Sequence, residues 1–230
     1  MTNVEQNLQQ IKQHIQDACN RSGRKVEDVT IIAVTKEVSV DRTKEVIATS
    51  LTHLGENRPD GLKNKLDAIS DDVKWHYIGT LQTRKVKSVI NEVDYLHSLD
   101  RISLADEIEK RATSMKDCFV QVNVSEEESK HGLSIAEVEA FISELGNYSH
   151  IRIVGLMTMA PNTDDHSLIR DVFRQLKALQ EKIAAKQLTH APCTELSMGM
   201  SGDYEIAIEE GATFIRIGTA LVGKEREEIK

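Results

Sequence analysis

The residue best suited to covalent chemistry is Lys36. It follows Ile31-Ile32-Ala33-Val34 and Thr35. A lysine so placed can pack its stem and carry its ammonium into water. It can also enter an apolar pocket, where lost hydration disfavours the ammonium and frees the amine to attack an aldehyde. Two later segments offer an anion site. Ser197-Met198-Gly199-Met200-Ser201-Gly202-Asp203 places Ser201 where a helix N-cap is expected, and Gly199 and Gly202 let N–H groups approach a ligand. Arg216-Ile217-Gly218-Thr219-Ala220 again puts a glycine at a helix start. Helix amino termini carry unpaired N–H groups and partial positive charge, which together bind phosphate. Either segment alone reads as ordinary capping; the two together favour phosphate. Arg216 and Gly218 are two apart, so strand alternation sets them on one face. A guanidinium there needs a structural carboxylate or a bound heterocycle. Asn57 can cap a helix or bond a ligand.

His53, His76 and His97 fall on three neighbouring apolar runs. They lack HxH or HxxxH spacing and no carboxylate cluster joins them. Each is therefore read as satisfying the core locally, and no metal ligand is assigned. No nucleophile elbow, Walker loop or G-x-G-x-x-G fingerprint is present.

These residues need elements to position them. Short apolar runs occur at 29–35, 52–56, 75–79, 94–99, 118–124, 151–157, 194–199 and 213–218. Several are continuously apolar or β-branched, as parallel strands buried on both faces are. Helical patterns fall between them. Val4, Leu8, Ile11, Ile15 and Cys19 form a first amphipathic stripe, with Gly23 as its stop. Ser134 and Glu137 form a capping box. Leu168, Ile169, Val172, Phe173, Leu176, Leu179 and Ile183 share a face of another helix, and Asp100 is the expected cap of the helix containing Ile102, Ala105 and Ile108. A further helix near 202–210 stops at Gly211. Strands alternating with helices predict an α/β fold: a single-domain (β/α)8 TIM barrel over residues 1–230 with an extra amino-terminal helix. An open doubly wound sheet is the alternative. Barrels build ligand sites at the carboxyl ends of strands, often with a phosphate in the last two loops, which is where Lys36, Ser201 and Gly218 fall.

The composition narrows the function. The chain has 230 residues, with 29 basic against 37 acidic ones, a formal charge of −8. An acidic balance argues against nucleic-acid or anionic-membrane binding. No stretch of about 18 apolar residues spans a membrane, and the polar amino terminus has no signal-peptide core. Three scattered cysteines, Cys19, Cys118 and Cys193, suggest a reducing compartment. The expectation is a cytoplasmic protein.

In order along the chain, AVTK ending at Lys36, HLGEN (53–57), WHYIGTLQTRK (75–85), HSLD (97–100), QVNVSEEESKHG (121–132), GLMTMAP (155–161), ELSMGMSGD (195–203) and IRIGTALVG (215–223) are similar to the motifs of the pyridoxal-phosphate homeostasis proteins. The matches cover about residues 29–223. The resemblance implies a fold-type III barrel like the amino-terminal domain of bacterial alanine racemase, with pyridoxal 5′-phosphate (PLP) held as an aldimine on Lys36. It implies that Ser201, Gly218 and Thr219 take the phosphate, Arg216 faces the pyridine nitrogen and Asn57 lies near the ring. One departure is visible: after Gly-Glu-Asn, relatives often carry an aromatic residue followed by x-Gln-Glu, whereas this chain reads Arg58-Pro59-Asp60-Gly61.

A carrier that buffers or delivers PLP, with PLP-dependent apo-enzymes as partners, is the function the resemblance implies; a monomer is expected, because no partner domain must complete the site. A PLP-dependent amino-acid racemase is the alternative. It needs a second base, for which Tyr77 and Tyr204 are the local candidates. A third class, a Schiff-base sugar-phosphate lyase or isomerase, needs an acid–base pair by the lysine, and Glu56 is the nearby carboxylate.

Overall fold

The computed structural model describes residues 2–125, 127 and 131–224. Part of the 121–132 motif (Glu126, Glu128, Ser129 and Lys130) lies outside the described residues, as does 225–230. Eight strands run β1 (Thr30–Val34), β2 (His53–Glu56), β3 (Lys74–Tyr77), β4 (Tyr95–Leu99), β5 (Lys116–Gln121), β6 (Ile151–Met157), β7 (Glu195–Ser197) and β8 (Phe214–Ile217). They pair in parallel in sequence order, and β8 returns to β1 to close the barrel. Every strand expected from the sequence is present. The closed barrel, not the open sheet, is the outcome.

The helices are α1 (Asn3–Ser22), α2 (Val40–Ala48), α3 (Pro59–Leu66), α4 (Ile102–Arg111), α5 (Ile135–Glu144), α6 (His166–Ala184), α7 (Tyr204–Glu209) and α8 (Thr219–Val222). Between β3 and β4 the crossover is made by two 3-10 stretches, Thr83–Ser88 and Ile90–Glu92. α1 buries the expected stripe of Val4, Leu8, Ile11, Ile15 and Cys19, with Ala18 added. Thr2 and Glu5 cap its start reciprocally, and Gly23 ends it at φ 70°, a left-handed conformation natural to glycine. Ser134 and Glu137 form the capping box of α5.

Three local expectations are corrected. Leu168 is 44% exposed; it stands in the first turn of α6, about 100° round from Ile169. The buried face instead takes in Gln180, whose amide donates to the Cys193 carbonyl. Asp100 does not cap α4. Arg101 holds the N-cap position, and the Asp100 carboxylate accepts from its guanidinium at 2.6 Å. Ser201 does not cap α7 either. That role falls to Asp203, whose carboxylate turns back to accept the Met200 N–H at 2.5 Å and leaves Ser201 in the turn between them.

Two apolar layers result. One fills the space between strands and helices. The other, Ile32, Phe119, Val154, Met157 and Phe214 with Tyr95 against it, is a separate cluster inside the barrel. Phe214 belongs to this inner set, so Arg216 and Gly218, two and four residues on, share its face as expected. α1 braces the carboxyl-end loops from outside: Asn7 Nδ2 donates to the Leu221 carbonyl, and Arg21 pairs with Glu205 and Glu209 of α7.

Candidate functional site

Lys36 lies in the loop that follows β1, after the backbone leaves the β2 ladder. Its side chain is 39% exposed, with Nζ 3.9 Å from Glu37 Oε1. The amine therefore opens to solvent rather than sitting in an enclosed apolar pocket. It shares a cleft with Val34, Val38, Gly218, Thr219 and Val222. β1 and β8 are paired, Ala33 to Ile217, so the residues that follow them are brought side by side.

The loop is held from below. Thr35 Oγ1 donates to Glu56 Oε1 at 2.6 Å, and Lys65 of α3 reaches the same oxygen at 2.5 Å while also donating to the Thr35 carbonyl. Glu56 and Lys65 are both buried. Glu56 is thus committed to a structural pair, which removes the acid–base group that a lyase would need. Asn57 follows at the carboxyl end of β2, half-buried. Gly79 fixes its backbone: a Cβ there would stand 2.4 Å from the Asn57 carbonyl oxygen.

Arg216, two residues before Gly218 on β8, is buried and does not line the cleft. Nη1 donates to Ser197 Oγ at 2.6 Å and Nη2 to the Thr158 carbonyl at 2.9 Å. No carboxylate pairs with it directly among the described residues. Burial pulls its pKa down to about 10, against the opposing charge of Asp203. Burial also pushes the Asp203 carboxyl up, while the Met200 N–H and Arg216 oppose that shift. Sequence reasoning missed Thr158, Ser197 and Asp203 as the groups that hold Arg216 and its loop. Their signal was available, since all three lie in the two motifs GLMTMAP and ELSMGMSGD.

The two segments expected to bind phosphate behave differently. Gly218 is the N-cap of α8, directly beside Lys36. Ser201 lines a neighbouring cleft with Tyr204, His14 and Ala220, not the Lys36 cleft. Ala220 joins the two, because it follows Thr219. Gly199 is required by packing: at φ +90°, a Cβ would lie 2.5 Å from Ala207 Cβ. Among the described residues, the amides of Ser201, Gly202, Thr219 and Ala220 donate to no protein acceptor. The free Thr219 amide shares the cleft of a primary amine, and those of Ser201, Gly202 and Ala220 line the adjoining cleft; together they fit a phosphorylated aldehyde.

The candidate second bases are elsewhere. Tyr204 OH lies 3.0 Å from His14 Nδ1, and burial pushes the phenol up to about 12. Tyr77 is buried and likewise pushed up to about 12. The three histidines come together in a line and do not converge on one point. His53 Nδ1 is 2.8 Å from His76 Nε2, His76 Nδ1 is 2.8 Å from His97 Nε2, and His97 Nδ1 is 2.9 Å from Ser197 Oγ.

Comparison with known proteins sets this site in context. Residues 2–226 match the model of the alanine racemase N-terminal domain. The pyridoxal phosphate homeostasis protein of Aquifex aeolicus is 38% identical over 231 residues, covering 97% of this chain and 99% of its own. A solved protein of Bifidobacterium adolescentis superposes with a TM-score of 0.90 at 31% identity, covering 95% of this chain and 94% of its own. PipY of Synechococcus elongatus, solved with PLP bound, superposes with a TM-score of 0.80 at 29% identity, covering 91% of this chain and all of its own, 100%.

Proposed function

The chain belongs to the alanine racemase N-terminal domain family and, within it, to the pyridoxal phosphate homeostasis proteins, and on that premise we propose that it binds PLP at Lys36 and buffers or delivers it without turning over a substrate. The observation that carries this reading is the shared cleft: Lys36 lines it with the Gly218–Thr219 helix start, two residues along the chain from a buried Arg216.

PLP supplies an aldehyde that condenses with an amine and, when its pyridine nitrogen is protonated, an electron sink. Lys36 provides the amine. Thr219 and the free amides of Ser201 and Gly202 bind the phosphate, with Gly218 opening the approach. Ser201 acts from the adjoining cleft, which Ala220 connects to this one. Asn57 flanks the ring, with its backbone fixed against Gly79. Arg216 faces the ring nitrogen. A guanidinium there disfavours protonation of that nitrogen, so carbanion chemistry is weakly supported and holding is favoured over turnover. We take residues 1–230 as one PLP-binding barrel that acts as a monomer in the cytoplasm and passes PLP to apo-enzymes. Three buried, unpaired cysteines are in keeping with a reducing compartment, and no helix among the described residues is long and apolar enough to cross a membrane.

The racemase alternative is disfavoured by the placement of Tyr77 and Tyr204, one buried and the other bonded to His14. A panel of amino acids incubated with PLP-loaded protein tests the difference. No enantiomer should accumulate beyond one equivalent, and the absorbance of the loaded protein should fall when an apo-enzyme is added. Sustained racemisation would sink the carrier reading.

A further inference from the structure

The histidine line ends at Arg216, and the groups at its two ends together set its polarity. A guanidinium only donates. Ser197 Oγ therefore accepts from Arg216 Nη1, and among the described residues its own proton has one further partner, His97 Nδ1. That proton keeps a partner only while His97 carries its own proton on Nε2, and the Nε2–H in turn needs the acceptor that His76 Nδ1 supplies; without that acceptor, His97 can hold its proton on Nδ1 and give it to the second lone pair of Ser197 Oγ. The same rule makes His76 an Nε2–H donor to His53 Nδ1, and His53 is left with an Nε2–H of its own. The register builds this line. His53 pairs with Lys74 and His76 with Tyr95, so each histidine stands two residues beyond the partner of the one before it, on the same inward-facing alternation.

We propose that His53, His76 and His97 are positioning residues for Arg216: they form a single-file relay of neutral Nε2–H imidazoles that keeps a lone pair of Ser197 Oγ turned to the guanidinium and carries the protonation state of His53, at the amino end of the barrel, to Arg216. This rests on the PLP reading only for what Arg216 faces. The relay itself is a property of the chain.

The surroundings favour neutral rings. His76 stacks on Tyr95 at 4.5 Å and His97 on Phe119 at 4.3 Å. Burial holds both imidazoles well below their ordinary range, and Arg216 adds to the effect at His97. His53 is the half-buried end. Burial lowers it, Asp94 opposes that shift and Lys74 adds to it, while the rings of Tyr95 and Phe214 pack beside it. Asp117 and Glu195 act on the neighbouring Tyr95 hydroxyl. A proton added at His53 Nδ1 meets the His76 Nε2–H head on. His53 must then turn away, and the relay loses its last acceptor.

Nitrogen-15 NMR of the imidazoles in the full chain, without added PLP, tests this. All three histidines should show the neutral Nε2–H pattern near neutral pH. His76→Phe keeps a ring against Tyr95 but removes the acceptor, and should shift His97 towards the Nδ1–H form. His53→Gln retains an acceptor oxygen and should leave His97 as in the unaltered chain. In PLP-soaked protein, His76→Phe should displace the absorption maximum and its pH profile, and His53→Gln should not. An Nδ1–H tautomer at His97 in the unaltered chain, or a folded His76→Phe protein with an unchanged His97, overturns the relay. If His76→Phe does not fold, titration of the unaltered chain decides: the His97 signals must move as His53 gains its proton, and signals that stay still overturn the proposal. The NMR pattern should survive Lys36→Ala. Correct tautomers without any PLP adduct at Lys36 would therefore indict the cofactor reading alone.

Discussion

Glu56 Oε1 lies 2.5 Å from Lys65 Nζ, and the pair is fastened to the residue that precedes Lys36 through both the side chain and the carbonyl of Thr35. The loop that presents the amine is thus clamped by a buried ion pair. Such a pair adds little net stability but is severe when halved, because the surviving charge stays buried and alone. Lys65→Met should cost about 3–5 kcal/mol. Combining it with Glu56→Gln should recover part of that loss, since no bare carboxylate remains. Urea unfolding of the single and double variants measures both. A single variant as stable as the parent would contradict the clamp.

Stability should fall on mild acidification. His76 and His97 have folded-state pKa values depressed by burial, so below the unfolded-state value near 6.5 the unfolded chain binds more protons than the folded one. Stability is then fully present above about pH 7 and declines as pH drops through 6, by up to about 1.4 kcal/mol per pH unit for each buried ring. Urea midpoints across that window should move downward together with pH. A flat profile between about pH 7 and 5 would mean that the rings are charged, or open to water, in the fold.

The fold was largely legible because parallel barrel strands bury both faces and leave unbroken apolar runs, as at Ile31–Val34 and Ile153–Met157. Lys36 and Gly218 could be placed because strand ends are where those runs stop. What sequence could not show was which neighbours the register brings together. His53 and His76 are 23 residues apart, and His97 and Ser197 are 100 apart. Motif spacing searches within one element, whereas this line crosses strands β2, β3, β4 and β7. The cap of α7 was misplaced for a related reason. Ser201 and Asp203 are both good capping residues, and the choice between them depends on the return of the Asp203 carboxylate to Met200, a turn geometry that residue type alone does not specify. Leu168 fits the apolar face of α6 by spacing, yet in the first turn it stands 44% exposed.

The phosphate reading makes a local prediction. Thr219 is exposed and opens α8, so its hydroxyl has no structural duty that the fold would miss. Thr219→Ala should weaken PLP binding about tenfold, the loss of one hydrogen bond to a charged oxygen, with an unchanged urea midpoint. Fluorescence titration with PLP reads the affinity. Equal affinity in the variant would move the phosphate away from this helix start.

The most direct test concerns the amine itself. Purified protein soaked with PLP, reduced with borohydride, digested and mapped by mass should carry the pyridoxyl-phosphate mass on the peptide containing Lys36, and Lys36→Ala protein should lose it. An adduct confined to other lysines, or an identical labelled peptide pattern from Lys36→Ala protein, would contradict the account.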